Sequence, residues 1–226
     1  MPRLLTVFCG LALTLFAQSP KEVEITAEPH HHPALENSYL RVFKVEVGPH
    51  DSTLMHWHRH DYLFVTIGAT EVENDVAGKA PVTLKLQDGE VRFTPGNFAH
   101  IARNLALTPL RNVTIELKNN SAAKWDEDRG LALLQKGTQH VLFVKDGARV
   151  SDIELQPAGV LPKHTHSGPH LVIAVTDLDL RNAPAGKRAE NVQLKAGDVA
   201  WVPKGVTHSL TNVGPDKARW IGVEFH

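Results

Sequence analysis

The chain has 226 residues, with 24 lysines and arginines against 25 aspartates and glutamates, and a formal charge of −1 with histidine neutral. So close a balance gives no whole-molecule field to draw in nucleic acid or an anionic membrane, and 42% apolar content suits a folded chain rather than a disordered one. The departure from the ordinary is 14 histidines beside a single cysteine, which points to metal ligation.

The N-terminus, MPRLLTVFCGLALTLFAQSP, has a basic start at Arg3, an apolar run from Leu4 to Phe16 and a small residue at Ala17. This is the pattern of a secretory signal peptide over residues 1–17. The run is short for a membrane span, so the expected product is exported, periplasmic or secreted, and meets no membrane after cleavage. Cys9 lies inside the run, so cleavage leaves no cysteine and no disulfide. The histidine run at 30–32, whose His32 falls on His140 at an offset of 108 residues, fits an auxiliary metal-binding tract or, better, an exposed polar lead-in to the first strand. Short segments rich in Val, Ile, Phe and Thr follow at 40–47, 61–68, 81–86, 90–95 and 110–117, separated by Gly, Pro, Asn and Asp clusters. They predict an all-β antiparallel sandwich or barrel. The one helix the sequence suggests is AAKWDEDRGLALLQKG, residues 122–137.

Shifted by 108 positions, the chain aligns with itself without gaps from about Leu40 to its end. His56 and His58 fall on His164 and His166; NDVAGK (74–79) falls on NAPAGK (182–187). Gly89, Pro95, His100 and Asn104 fall on Gly197, Pro203, His208 and Asn212; Arg41, Arg111 and Glu116 fall on Arg149, Arg219 and Glu224. The reading is two copies of one domain, over 18–120 and 138–226, with a linker at 121–137.

Residues i and i+2 of a strand face the same side, so His-x-His presents two imidazoles to one interior. In the second copy HTHSGPH (164–170) is followed by GDVAWVPKGVTHSLTN (197–212). Together they resemble the paired motifs of the cupin superfamily, His-x-His followed by a glutamate and then Pro-x-Gly-x-x-His. The first copy matches the second motif as GEVRFTPGNFAHIARN (89–104), with Asn97 in place of the last glycine. The resemblance covers nearly all the expected mature chain and implies two tandem jelly-roll-like cupin barrels, a bicupin. It also implies a divalent transition metal in each copy, held by His56, His58 and His100 and by His164, His166 and His208.

Both copies depart from the family at the glutamate, where Tyr62 and His170 stand. His170 would make a fourth imidazole in the second copy. Tyr62 is a candidate ligand, neighbour or proton carrier in the first, and His60 and Asp61 lie beside it. Without a carboxylate the sites suit Fe, Zn, Ni or Cu better than Mn. The departure also weakens any activity that uses that glutamate as a base. Arg92 and Arg103 occur only in the first copy; Arg92 would hold a carboxylate if it faces the interior, whereas strand parity turns Arg103 away from His100. Asn104 and Asn212 share the histidine face and would orient the ligands. Trp57, Trp201 and Phe93 read as packing residues.

Two functions from different classes fit. One is a metal-dependent enzyme, either an oxidoreductase of dioxygenase type or an isomerase, acting on a small carboxylate or enol. The other is a non-catalytic protein of the cell envelope that holds a metal or small ligand, because a site with every position filled is structural. The sequence leaves the metal, the substrate and the oligomeric state open.

Overall fold

The computed structural model describes residues 21–118, 130–145 and 147–226. The expected signal peptide lies outside them, as do residues 122–129 of the expected helix. In the first half the strands are β1 (Val23–Glu24), β2 (His31–Glu36), β3 (Leu40–Val47), β4 (His56–His58), β5 (Tyr62–Thr66), β6 (Thr70–Val76), β7 (Val82–Leu86), β8 (Val91–Thr94), β9 (Phe98–Asn104) and β10 (Leu110–Leu117). In the second they are β11 (Leu131–Lys145), β12 (Ala148–Thr165), β13 (His170–Ala174), β14 (Leu178–Pro184), β15 (Glu190–Leu194), β16 (Val199–Val202), β17 (Thr207–Asn212) and β18 (Ala218–Phe225). A single 3-10 turn, Ile25–Ala27, interrupts the pattern among the described residues. No helix among them is long and apolar enough to cross a membrane.

The first half forms two five-stranded sheets, ordered β1-β4-β9-β6-β7 and β2-β3-β10-β5-β8. The second half has the same strand neighbours joined into one sheet, β15-β14-β17-β12-β18-β13-β16, with β11 paired to β12. The joint is β12. Its first part pairs with β18 and its second with β17, so one continuous strand does what β3 and β4 do separately in the first half.

The helix expected over 122–137 does not form where it is described: Leu131 opens β11, whose backbone pairs with β12. Residues 131–137 are therefore strand rather than linker. Gly137 shows why: a Cβ there would stand 2.3 Å from the carbonyl oxygen of Glu154, so the glycine serves close strand approach. Tertiary pairing overrides the local helix preference.

β3 and β10 are buried on both faces. One face looks into its own half and contributes Phe43, Val45 and Leu110 to an inner cluster. The other carries Leu40, Val42, Val113 and Ile115 into the largest apolar cluster, which also holds Val150, Leu171, Ile173, Ile221 and Val223. That cluster lies between sheets of the two halves, packed face to face. Reciprocal polar contacts border it. Arg111 donates to the carbonyl of Ala196 at 2.8 Å, and Arg219 donates to that of Asp88 at 3.0 Å. Each arginine lies against a glycine with positive φ, Gly197 (89°) and Gly89 (70°), where a side chain would collide or crowd.

Candidate metal centres

In each half two neighbouring strands bring three histidines together. His56 and His100 are cross-strand partners between β4 and β9, as His164 and His208 are between β12 and β17. Period-two geometry then puts His58 and His166 beside them. The Nε2 atoms of His56 and His58 lie 3.1 Å apart, as do those of His58 and His100. In the second half the distances are 2.9 Å from His164 to His166 and 3.1 Å from His166 to His208.

The opposite nitrogens set the tautomers. His56 Nδ1 donates to the carbonyl of Leu54 at 2.9 Å and His164 Nδ1 to that of Pro162 at 2.8 Å. His100 and His208 donate to the Oδ1 atoms of Asn74 and Asn182, at 2.5 and 2.9 Å. With the proton held at Nδ1, the Nε2 atoms of His56, His100, His164 and His208 present lone pairs, whereas His166 Nδ1 lies 3.5 Å from Glu224 and His58 Nδ1 has no partner. Lone pairs converging at about 3 Å repel one another unless a cation lies among them, and this is the arrangement by which metal-ligating histidines are oriented. Burial also favours neutral rings, as ligation requires. Desolvation pulls His56 down to about 4, with His31 adding to the effect, and His208 to about 4, with His164 and His166 adding. It lowers His58, His100 and His164 as well.

The first centre has a further member, from the histidine run at 30–32. His31 on β2 is buried, not an exposed lead-in, and its ligand nitrogen falls within 4.8 Å of those of His56 and His58. Its Nδ1 lies 2.6 Å from Glu28 Oε2. Burial pushes the Glu28 carboxyl up, but hydrogen bonds from His31 and His30 outweigh it and hold it at about 2. His31 thus joins His56 and His58, with His100 adjoining the group through His58 and a buried carboxylate behind His31. His32 is exposed, as is its counterpart His140.

Tyr62 and His170 occupy matching places. Tyr62 stacks on His58 with centroids 4.0 Å apart and planes at 18°; His170 stacks on His166 at 3.8 Å and 27°. Imidazole binds a metal in the plane of its ring, and a ring stacked on a ligand lies in a parallel plane. His170 is not among the converging nitrogens, which belong to His164, His166 and His208. Burial pushes the Tyr62 hydroxyl up to about 12 despite its hydrogen bond with Thr94, and pulls His170 down to about 3.

His60 is exposed, and Asp61 accepts from the backbone of Gly96 at 2.7 Å. Arg92 lines the first cavity, where its Nε donates to Glu90 at 2.7 Å; Arg103 points outward to Glu73 at 3.1 Å, as parity requires. Asn104 and Asn212 do not orient the histidines. Their amides donate to backbone carbonyls of Val47, Gly48 and Thr108, and of Leu155 and Asp216. The orienting asparagines are Asn74 and Asn182, the first residues of the NDVAGK and NAPAGK segments. The recurrence of that asparagine was the available signal. Trp201 and Phe93 pack against the central cluster, while Trp57 lies at the surface under Arg59.

Residues 144–225 match the family model described as Cupin. The fold is a cupin fold. Among solved structures of that fold is oxalate decarboxylase from Bacillus subtilis, in work on its Mn(II) centres, with 12% identity, a TM-score of 0.62, and coverage of 86% of this chain and 75% of that one. A second structure of the same enzyme, at pH 4.6, is 11% identical with a TM-score of 0.62 and covers 86% and 74%. AerE from Microcystis aeruginosa is 12% identical with a TM-score of 0.61, covering 88% of this chain and 98% of that one. None of the curated proteins matches the chain. The two histidine groups of this cupin fold suit a divalent metal.

Proposed function

We propose that the chain is an exported, metal-binding bicupin with one divalent metal in each half, and that the second centre works on a small molecule. The observation that carries the reading is the twofold convergence of three Nε2 atoms, two of each three having their Nδ1 protons fixed by an acceptor. The two-domain reading is supported by pairs that recur at the same offset: Arg41 with Glu116 and Arg149 with Glu224, and the mutual arginine contacts between halves. The export reading rests on the N-terminal segment alone.

The second centre offers three histidines, leaving positions for a ligand, and opens on the larger cavity. A bound metal would act as a Lewis acid or redox centre for an enol or carboxylate. His164, His166 and His208 would hold it, Asn182 would fix the His208 tautomer, and the walls would exclude water. Tyr62 is a wall residue in this reading, since a hydroxyl held at about 12 is a poor proton carrier near neutrality. His170 is likewise a wall residue rather than a ligand.

A non-catalytic role is favoured at the first centre by His31. With His31 as a ligand beside His56, His58 and His100, every position of a tetrahedral site would be filled and none left for substrate. The test is metal content per chain, without a histidine tag, for wild type, His100→Ala and His208→Ala. We expect about two metals falling to about one in each variant; a chain that neither carries nor takes up metal defeats the reading.

A further inference from the structure

The two centres are alike in their histidines and unlike in the space before them. The first opens on a cavity of about 140 Å³ and the second on one of about 320 Å³; only the second reaches the size of ordinary small-molecule pockets.

Strand register explains the difference. Phe43, Thr114, Phe64 and Arg92 lie side by side across β3, β10, β5 and β8. The corresponding row across β12, β18, β13 and β16 is Ser151, Gly222, Val172 and Ala200. Every member of the second row is smaller, and all four line the second cavity. The surrounding wall changes character as well. Leu161, Val202 and Trp220 line the second cavity where Thr53, Thr94 and Asn112 line the first. The charged pair on the second wall, Arg149 and Glu224, is already joined at 2.5 Å, and Asn182 is engaged by His208.

One polar atom on this wall is not engaged. His170 is 6% exposed, it lines the cavity, and its Nδ1 has no hydrogen-bond partner. A buried ring nitrogen without a partner is costly, but this atom has no accessible surface and belongs to the packing of the wall.

We infer that the second centre takes a ligand with an aryl-sized apolar body, seated in the chamber left by Ser151, Gly222, Val172 and Ala200, and an oxygen-donor head facing the histidines. The inference rests on the metal reading above and adds the substrate class. The apolar body gains its affinity from leaving water, and the head faces the positions left open by His164, His166 and His208.

The experiment compares acetohydroxamate with benzohydroxamate, which share a chelating group and differ as methyl and phenyl, by their effect on the absorption of the Co(II)-loaded full chain. Benzohydroxamate is expected to bind at least about tenfold more tightly, and the His208→Ala chain to lose that component. Val172→Phe and Ser151→Phe restore the bulk of the first half and should each erase the preference. Metal content and far-UV circular dichroism report whether each variant folds. Equal affinity of the two hydroxamates in wild type, or a preference that survives in both folded variants, overturns the inference. If the second centre takes no Co(II), the metal reading fails separately. The chamber is then tested by toluene, which should raise the Tm of the metal-free wild type and not that of Val172→Phe; no rise in wild type overturns the chamber too.

Discussion

At the scale of the residue, tautomers and planes decide what each histidine can do. Asn182 holds the His208 proton at Nδ1 through a 2.9 Å bond, and removing it frees the ring to turn or change tautomer. Asn182→Ala should therefore weaken metal binding at the second centre by about 10- to 100-fold while leaving the first unchanged, read by competition with a chromophoric chelator. His31→Ala should do the reverse, lowering the affinity of the first centre alone by a similar factor; equal affinities in the variant and wild type would remove His31 from the ligand set. The ligands His56, His58, His164 and His166 were legible because spacing by two survives any strand arrangement. His31 was not. It stands in a run of three histidines, and which one turns inward depends on the pairing of His31 with Val45 and on the register shift between Pro33 and Leu35.

At the scale of the element, turns are where the two halves use different residues for one conformation. Asn97 and Gly205 occupy corresponding turns before β9 and β17, with φ of 63° and 81°. Asparagine is among the few side-chain residues that enter this region readily. Asn97→Ala should cost about 1 kcal/mol, and Asn97→Gly much less, in urea unfolding of the metal-free protein; a neutral alanine variant would mean that the turn relaxes. The departure from Pro-x-Gly was visible in the sequence, and the conformation it preserves was not. The helix expected over 122–137 failed, over its described part, for the complementary reason. An apolar, glycine-ended segment satisfies either a helix or a strand locally, and the long ladder with β12 decides for strand.

At the scale of the whole molecule, the largest apolar cluster belongs to neither half by itself. The halves should therefore unfold together, giving one calorimetric transition in the metal-free chain, and Ile221→Ala should lower the stability of the whole by about 2–5 kcal/mol without splitting that transition. Two resolved transitions would show that the shared cluster does not couple them. The buried histidines make this stability depend on pH. His56 and His208 titrate at about 4 when folded and near 6.5 in an unfolded chain. Between those values the unfolded state binds more protons, so their contribution is complete above about pH 6.5 and is lost as pH falls toward 4, at most about 3 kcal/mol for each ring. Glu28, held at about 2, extends the loss below pH 4.5. Urea midpoints of the metal-free protein at pH 7.5 and 4.5 measure the effect; equal midpoints would contradict it.

The sequence by itself determined what depends on local period and on repetition: an all-β chain, paired histidines on one strand face, and a second set of the same residues 108 positions later. Those features follow from alternation along a strand and hold whichever strands become neighbours. Only the tertiary structure decided which side chains from distant strands meet. It placed His31 with Glu28 at the first centre and assigned Asn74 and Asn182, rather than Asn104 and Asn212, to the histidines. It also stacked Tyr62 and His170 on their neighbours. The contrast between the two cavities arises in the same way, because Ser151, Gly222, Val172 and Ala200 are scattered along the chain and become a single row only through strand register.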